Sequence, residues 1–358
     1  MKPLLSTTLL ALLLLTTPAD AQLSLTPQPA TPNPSPEKPK DEKKAKPHAV
    51  TKKEAPPAAK PSPSPSPPPA ATVIPAPQTE NSNVDLVFGA YQRGQYKTAF
   101  ELASARAQAG DPKAMTMLGE LLSSGLGVKR DYAQAVEWYK RASDAGDREA
   151  MFALAMMRIA GRGGPVDKGD AVKLLASAAK LGEPKAAYNL ALLYLDGQTL
   201  PQDVRRSAEL FRLAADAGLP EAQYALATFY KEGTGVPKDI EKAVRLLQAA
   251  SLADNVDAEV EYAIALFNGT GTPKNQPAAV ALLRKAARQN SPIAQNRLAW
   301  VLINGVGTPM DKIEGFKWHL VAKTGGKGDP DLDKQLSDLG PDDRAKAEAA
   351  ARKWLGTK

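Results

Sequence analysis

Residues 114–149, with the sequence AMTMLGELLSSGLGVKRDYAQAVEWYKRASDAGDRE, form a unit that recurs every 36 positions along the chain. The alanine that opens the unit returns without any slip in register at Ala150, Ala186, Ala222, Ala258 and Ala294. The glycine in the middle of the unit and its copies are Gly125, Gly161, Gly197, Gly233, Gly269 and Gly305. Self-similarity at a fixed period of about 20 to 50 residues is the signature of a repeat array. The sequence therefore predicts a series of stacked, nearly identical units.

The spacing of residues inside the unit predicts two helices joined by a turn. In its first half, apolar residues have the i, i+4, i+7, i+8 spacing of one helical face. These residues are Ala114, Leu118, Leu121 and Leu122. The next column contains only small side chains, which is expected where two helices approach closely and an added methyl group would overpack the contact. Its members are Gly119, Ala155, Ala191, Ala227, Ala263 and Ala299.

Two further columns predict where the second helix begins and ends. Short polar residues stand where an N-cap is expected, at Asp131, Asp167, Asp203, Asp239, Asn275 and Asp311. A glycine column is expected to close the same helix, at Gly110, Gly146, Gly182 and Gly218. Asp254 replaces glycine in a later copy. Because aspartate adopts the left-handed backbone less readily than glycine, we expect an irregular turn at Asp254.

The combined pattern A-x-x-x-L-G/A, then G-x-G-V-x-x-D, then A-x-x-[WYL]-[YLF]-x-x-A resembles the Sel1-like repeat, a relative of the tetratricopeptide repeat. The clearest copies of the turn are residues 125–128 (GLGV) and 233–236 (GTGV), the first followed by Trp138 and Tyr139. The resemblance covers about residues 84–330, and residues 197–199 depart from it by lacking the second turn glycine. It implies an all-α fold, a right-handed α-solenoid of antiparallel helix pairs, in an exported bacterial member of the family.

The first 21 residues have the three parts of a secretory signal peptide. Lys2 supplies the positive start, residues 4–15 the apolar stretch and residues 19–21 (ADA) an A-x-A cleavage site. The apolar run is shorter than the roughly 20 residues that span a bilayer. We therefore expect cleavage after Ala21 and a periplasmic or secreted protein without an integral membrane segment. The alternative is an uncleaved membrane anchor.

Residues 22–82 are rich in Pro, Ala and Lys and include the run PSPSPSPPP at residues 61–69. Such a segment has too little apolar surface to offset the entropy of ordering, so we expect a disordered tether. Eight lysines and three acids lie between Lys38 and Lys60. The tether is therefore either a soluble spacer or a weak contact with an anionic polymer or lipid.

The folded part is expected to have three sections. Residues 83–113 form a truncated N-terminal repeat that acts as a cap, residues 114–329 form six Sel1-like repeats, and residues 330–358 form a C-terminal helical cap. Terminal units of a repeat array need a polar outer face. In the last helix we expect Ala345, Ala349, Trp354 and Leu355 on the apolar side, opposite a charged side.

The residues that carry common enzyme chemistry are scarce. The chain has no cysteine, which excludes disulfides, thiolate metal sites and a cysteine nucleophile. Of its two histidines, His48 lies in the tether, and we expect His319, beside Trp318, to be structural or solvent-facing. Neither an HExxH motif, a Walker-type loop nor GxSxG occurs. We therefore predict a non-enzymatic chain without a catalytic, cofactor or metal site. Basic residues interleaved with aromatics are also absent, which disfavours nucleic-acid partners.

Variable positions of the first helices mark the candidate binding surface, since helix-pair arrays bind extended protein segments on their concave side. One such column is unusually apolar, with the members Glu120, Met156, Leu192, Thr228, Ile264 and Trp300. The predicted partner-binding residues are Met156, Leu192, Thr228, Ile264, Arg297, Trp300 and Asn304. Trp300 has two interpretations, an anchor in a peptide groove or a contact with the C-terminal cap. Phe152, Tyr188 and Tyr224 are expected in the core between repeats.

The resemblance implies a scaffold or adaptor that binds other proteins in the cell envelope, in signalling regulation or envelope assembly. Two alternatives remain open at this point. One is a cell-wall or polysaccharide-associated factor whose Lys-rich tether contacts polymer. The other is an envelope hydrolase, in which Glu120, Glu232 or Glu261 would serve as an essential acid.

Overall fold

A computed structural model describes residues 82–356, which form sixteen helices and contain no strand. The predicted signal peptide, its cleavage site and the Pro-rich tether fall on residues 1–81 and lie outside the described residues. The helices are α1 (Ser82–Gln92), α2 (Tyr96–Gln108), α3 (Pro112–Ser124), α4 (Tyr132–Asp144), α5 (Arg148–Ala160), α6 (Lys168–Lys180), α7 (Pro184–Asp196), α8 (Val204–Asp216), α9 (Pro220–Glu232), α10 (Ile240–Leu252), α11 (Val256–Asn268), α12 (Gln276–Arg288), α13 (Pro292–Asn304), α14 (Lys312–Thr324), α15 (Pro330–Ser337) and α16 (Pro341–Gly356).

The helices of the array have constant length because the sequence places their end signals at constant spacing. Every helix from α2 to α14 has 13 residues. The predicted N-cap column is confirmed in all six copies. Asp131, for example, accepts a hydrogen bond from the Gln134 backbone N–H at 3.0 Å, and Asp203 accepts one from Arg206 at 2.9 Å. These contacts satisfy donors that the first helical turn leaves without a backbone partner.

The turn that follows α10 corrects one expectation. Asp254 has a φ of 60°, so it adopts the left-handed conformation that glycine adopts in five other copies and Asn290 adopts in one. Its N–H donates to the Ser251 carbonyl, just as the N–H of Gly218 donates to the Ala215 carbonyl one repeat earlier. The predicted irregularity is therefore wrong. A short polar side chain tolerates this backbone, and Lys285 holds the Asp254 carboxylate at 2.6 Å.

Successive helices pack against their neighbours in sequence, so the fold is an α-solenoid of helix pairs. The small-residue column lies inside each pair. A Cβ added at Gly119 would lie 2.6 Å from the ring of Tyr139 on the second helix, and the alanines of the column are all buried. The close approach of the two helices therefore depends on these small side chains.

Helices α15 and α16 cover the last repeat. Leu332 and Leu336 of α15 are buried, as are Ala347 and Ala351 of α16. The ring of Trp354 lies 5.0 Å from that of Trp318 on α14. The buried His319 of α14 places its Nε2 2.9 Å from Oδ1 of Asp333 on α15.

The face that α16 buries differs from the predicted one. Ala345 and Ala349 are exposed, and Ala347 and Ala351 take the inner positions. The expectation was wrong because alanines occur on several faces of this helix, and the sequence did not reveal which face meets Trp318. Within residues 82–356, no helix is both long enough and apolar enough to cross a membrane.

Candidate functional site

The first helices of successive repeats line one common surface. At its N-terminal end lies a cavity of about 600 Å³ whose lining comes from α1, α3, α5 and α7, with one residue each from α2 and α4. Val87, Phe88 and Tyr91 come from α1, Met117 and Glu120 from α3, Phe152 from α5 and Lys185 from α7. Four successive first helices can share one cavity only where their common face is concave. The face formed by the first helices of all repeats, with this cavity at its N-terminal end, is called the groove below.

The carboxylate of Glu120 lies in this cavity between apolar walls. Its Oε1 accepts a hydrogen bond from Ser124 Oγ at 2.9 Å, and its Oε2 accepts one from the Tyr139 hydroxyl at 3.2 Å. Burial and the Glu120 carboxylate raise the pKa of both Tyr139 and Tyr91. Both phenols therefore stay protonated at neutral pH, and Glu120 is held by hydroxyl groups.

Most other charged groups of the lining are paired with one another. Arg106 forms an ion pair with Asp111. Lys113 Nζ lies 2.9 Å from Asp147 Oδ2 and 3.4 Å from Glu149 Oε1, and these carboxylates raise the pKa of the lysine against the opposing effect of burial. Within the described residues, two charged groups of the lining are in no ion pair: the exposed Lys185, and Glu120, which has no Lys or Arg nitrogen within 4.0 Å.

Four aromatic rings contribute to the same lining. Phe88 is 52% exposed although it is a large apolar side chain. Tyr91 and Phe152 are half-buried. Tyr139 is buried, and its hydroxyl donates a hydrogen bond to Glu120. Aromatic faces beside a carboxylate provide a negative electrostatic potential that attracts organic cations.

The seven residues predicted from the sequence lie further along the groove. Met156, Leu192, Thr228 and Ile264 are half-buried, as the apolar column requires at a partly covered face. Asn304 is exposed, and its Nδ2 donates to the Trp300 carbonyl at 2.8 Å. None of the seven is among the residues that line the N-terminal cavity. A role of these residues in binding stays a prediction.

The two interpretations of Trp300 concern its neighbours. Its ring lies 6.4 Å from that of Phe267, a buried residue of the preceding repeat, in an edge-to-face arrangement. The ring that faces Trp354 of the C-terminal cap is that of Trp318. Trp300 therefore stacks toward the preceding repeat and remains half-buried at the groove.

The aromatic residues between repeats pack as expected. The ring of Tyr188 lies 5.5 Å from that of Phe211, and Phe211 lies 5.3 Å from Phe229. Burial, aided by the Glu221 carboxylate, raises the pKa of Tyr188 to about 12. Phe152 contacts the core and also lines the cavity, so its assignment to the core was incomplete.

The middle of the groove carries acidic groups. Glu261 Oε2 lies 2.9 Å from Lys231 Nζ in an ion pair between neighbouring repeats. Burial first, and then the carboxylates of Glu261 and Asp257, raise the pKa of Tyr224. Burial lowers the pKa of the Arg297 guanidinium, and Glu261 opposes this shift. The groove therefore combines apolar strips with fixed charges, an arrangement that suits a protein segment.

A family model described as Sel1 repeat matches six consecutive segments of the chain, at residues 112–147, 148–183, 184–219, 220–255, 256–291 and 292–326. Together these segments cover more than half of the chain. The chain belongs to the Sel1 repeat family. The family assignment and the α-solenoid fold predicted from the sequence are therefore confirmed.

Two crystal structures are similar to this Sel1 repeat array. A Sel1 repeat protein from Oxalobacter formigenes superposes with a TM-score of 0.61 at 26% identity, over 68% of this chain and 99% of that one. The protein c5321, a protective antigen present in uropathogenic Escherichia coli strains that displays an SLR fold, superposes with a TM-score of 0.52 at 24% identity. That match covers 76% of this chain and 68% of the other, and it concerns the fold alone.

No curated protein matches the chain significantly. Sel1 repeats in general mediate protein–protein interactions, and the repeat scaffold is generally non-catalytic. Within residues 82–356, no group of three His, Cys, Asp or Glu side chains is arranged to hold a metal ion.

The cavity residues of the first Sel1 repeats were not predicted as a site. Phe88 and Tyr91 belong to the truncated N-terminal unit, where the repeat pattern is weakest. One sequence signal did point to the cavity. Glu120 is the charged member of a column that is otherwise apolar or neutral, at Met156, Leu192, Thr228, Ile264 and Trp300.

Proposed function

We propose that this Sel1 repeat protein is a non-enzymatic adaptor of the cell envelope that binds a segment of a partner protein along the groove. One observation carries the proposal: a single cavity of about 600 Å³ takes its lining from four successive first helices. A surface of this kind is continuous across repeats and fits an extended or helical segment. Pockets that bind small molecules have volumes of about 300 to 1,000 Å³, so a cavity of this size is large enough for part of a partner segment.

The proposed contacts along the rest of the groove are the seven residues predicted from the sequence. They are Met156, Leu192, Thr228, Ile264, Arg297, Trp300 and Asn304. Their supports are the half-buried apolar column and the presence of a Trp and an Arg, residue types that often dominate interface energetics. Export to the periplasm or beyond rests on the signal-like residues 1–21, and contact of the Lys-rich segment with anionic polymer or lipid rests on residues 38–60.

Site-directed photo-crosslinking with the full chain tests the proposal in the cells that produce it. The crosslinker p-benzoylphenylalanine replaces Leu192 or Thr228 in the groove, or Leu252, which is 80% exposed at the end of a second helix. We expect the same crosslinked protein from both groove positions and not from Leu252. A Trp300→Ala, Arg297→Ala double variant is expected to weaken that crosslink at unchanged helicity.

The opposite pattern would overturn the proposal. Crosslinks from Leu252 alone would move the binding surface to the second helices. Absence of protein crosslinks at every position, combined with retention of the chain on purified cell-wall polymer, would favour the polysaccharide-associated role instead. N-terminal sequencing of the protein from fractionated cells checks the export step, with a mature chain beginning at Gln22 as the expected result.

A further inference from the structure

The cavity at the N-terminal end of the groove has a composition that indicates what it binds. Three partly exposed rings, Phe88, Tyr91 and Phe152, line it together with the carboxylate of Glu120. Two hydroxyls, from Ser124 and Tyr139, fix that carboxylate at hydrogen-bond distances of 2.9 and 3.2 Å. A carboxylate that is already oriented loses little freedom when it binds a cation, so more of its attraction appears as affinity.

Among the carboxylates that line the cavity, Glu120 is the one without a counter-ion within the described residues, and the exposed Lys185 is the lining cation without an ion pair there. Arg106 and Lys113, which also line the cavity, are committed to Asp111 and to the pair of Asp147 and Glu149. Glu183 has a nearly buried side chain and lies 3.7 Å from Arg148. Within the described residues, Glu120 has no ion-pair partner. A carboxylate beside apolar walls is stabilised when a ligand brings a positive charge to it.

The apolar part of the lining sets a second requirement. Val87, Met117 and Phe88 add an apolar surface next to the rings, and Phe88 is 52% exposed. The volume of about 600 Å³ exceeds what one cationic group fills, so the neighbours of that group also enter the cavity. Large apolar side chains next to a positive charge would cover this surface and remove water from the ion pair.

We propose that this cavity is a cation subsite of the groove, which takes the guanidinium or ammonium end of an Arg or Lys side chain from the partner segment. Glu120 is the counter-ion, Phe88, Tyr91 and Phe152 surround the cation, and bulky apolar residues flank the basic residue in the partner. The inference rests on the proposed function, because it places the partner's basic residue at the N-terminal end of the same groove.

Two peptides that differ only in charge test the subsite. One is a fluorescein-labelled heptapeptide with a central Arg between two Leu residues, and the other carries citrulline, the neutral isostere, instead of Arg. Fluorescence polarisation with the full chain gives both dissociation constants. We expect the wild-type protein to bind the Arg peptide about tenfold or more tightly than the citrulline peptide, the size of one charge-assisted hydrogen bond.

Matched variants locate the effect. Glu120→Gln keeps one acceptor oxygen, and its NH2 group can donate to the oxygen of the second hydroxyl. The variant removes the charge, and it is expected to erase the difference between the peptides. Glu232 is an exposed glutamate at the end of α9 and does not line the cavity, so Glu232→Gln is expected to keep the difference.

Phe88→Leu retains apolar bulk at an exposed site and is expected to weaken Arg binding about two- to fivefold. Circular dichroism checks that the variants keep the helicity of the wild type.

Equal affinity of the wild-type protein for both peptides would overturn the proposal, as would a preference for Arg that survives in Glu120→Gln. A third contrary result is binding of tetramethylammonium without binding of either peptide, because the cavity would then serve a small free cation. If the groove positions crosslink a partner while Glu120→Gln changes nothing, the cation subsite fails and the adaptor function stands. If the groove yields neither crosslinks nor peptide binding, both fail.

Discussion

At the scale of single residues, the turn glycines set how closely successive repeats approach. Gly235 has a φ of 67°, and a Cβ there would lie 2.7 Å from the Val204 carbonyl oxygen at the start of the preceding second helix. Gly218 also has a positive φ, 85°, but faces open space. Glycine is therefore required at position 235 both for the backbone conformation and for the close contact, and at position 218 for the backbone conformation alone. Thr199 occupies the contact position in one repeat, and it does not adopt a left-handed backbone.

This difference predicts unequal costs for two identical substitutions. Gly218→Ala should lower the free energy of unfolding by about 1 kcal/mol, the cost of an alanine in the left-handed conformation. Gly235→Ala should lower it by about 1 to 3 kcal/mol more, because the methyl group also overpacks a backbone contact. Urea unfolding followed by circular dichroism measures both, with Gly218→Ala as the control. Equal losses would show that the contact with Val204 relaxes freely.

At the scale of the helix, the N-cap residues of the two helices of a pair differ in the contacts that they make. The caps of the second helices are mainly local, as at Asp167, an exposed residue that accepts from the Asp170 N–H at 2.8 Å. Asp147, which caps α5, is buried and also accepts from Thr116 Oγ1 at 3.2 Å, on the first helix of the preceding repeat. The cap of a first helix can therefore join two repeats.

Removing each cap should separate these roles. Asp167→Ala should cost about 1 kcal/mol of stability, as expected for a simple N-cap. Asp147→Ala should cost about 2 to 4 kcal/mol, because it also removes the charged hydrogen bond from Thr116 and the ion pair with Lys113. Thermal and urea unfolding of the two variants beside the wild type gives the comparison. Similar losses would mean that Asp147 contributes only its local cap.

At the scale of the whole molecule, the array is a one-dimensional stack, and the apolar surface of its last repeat must be covered by a terminal cap. The C-terminal cap covers this surface with Leu332, Leu336 and the contact between Trp318 and Trp354. In such a stack each unit contacts mainly its neighbours, so damage at one end should remain near that end.

The register of α16 supplies a matched test of this coupling. Ala351 is buried against the array and Ala345 is exposed on the same helix. Ala351→Glu forces a carboxylate into the interface, and we expect faster amide hydrogen exchange in α14 and α16 with unchanged exchange in α5 to α8. Ala345→Glu should leave all of these rates unchanged. Rates that rise in the Ala345 variant instead would support the face first predicted from the sequence.

The sequence by itself determined the family, the helix pairs and their ends. Local chemistry suffices for these features: an aspartate at Asp131 caps whichever helix follows it, and Gly125 ends the helix that precedes it. Because each repeat carries the same short-range signals, a doubtful position in one copy can be interpreted from the equivalent positions in the others. The misjudged turn at Asp254 is such a case, since its hydrogen bonds follow those of Gly218.

Only the tertiary structure decided which residues from distant positions share a surface. Phe88 lies about one repeat before Glu120, and Phe152 about one repeat after it, and the curvature of the stack brings all three to one cavity. The choice of Ala351 rather than Ala349 as an inner residue of α16 also depended on docking, because the last helix has no further copy to specify its face. The periodicity of a sequence encodes contacts between neighbouring units. The shape that results from stacking them depends on small differences in every interface.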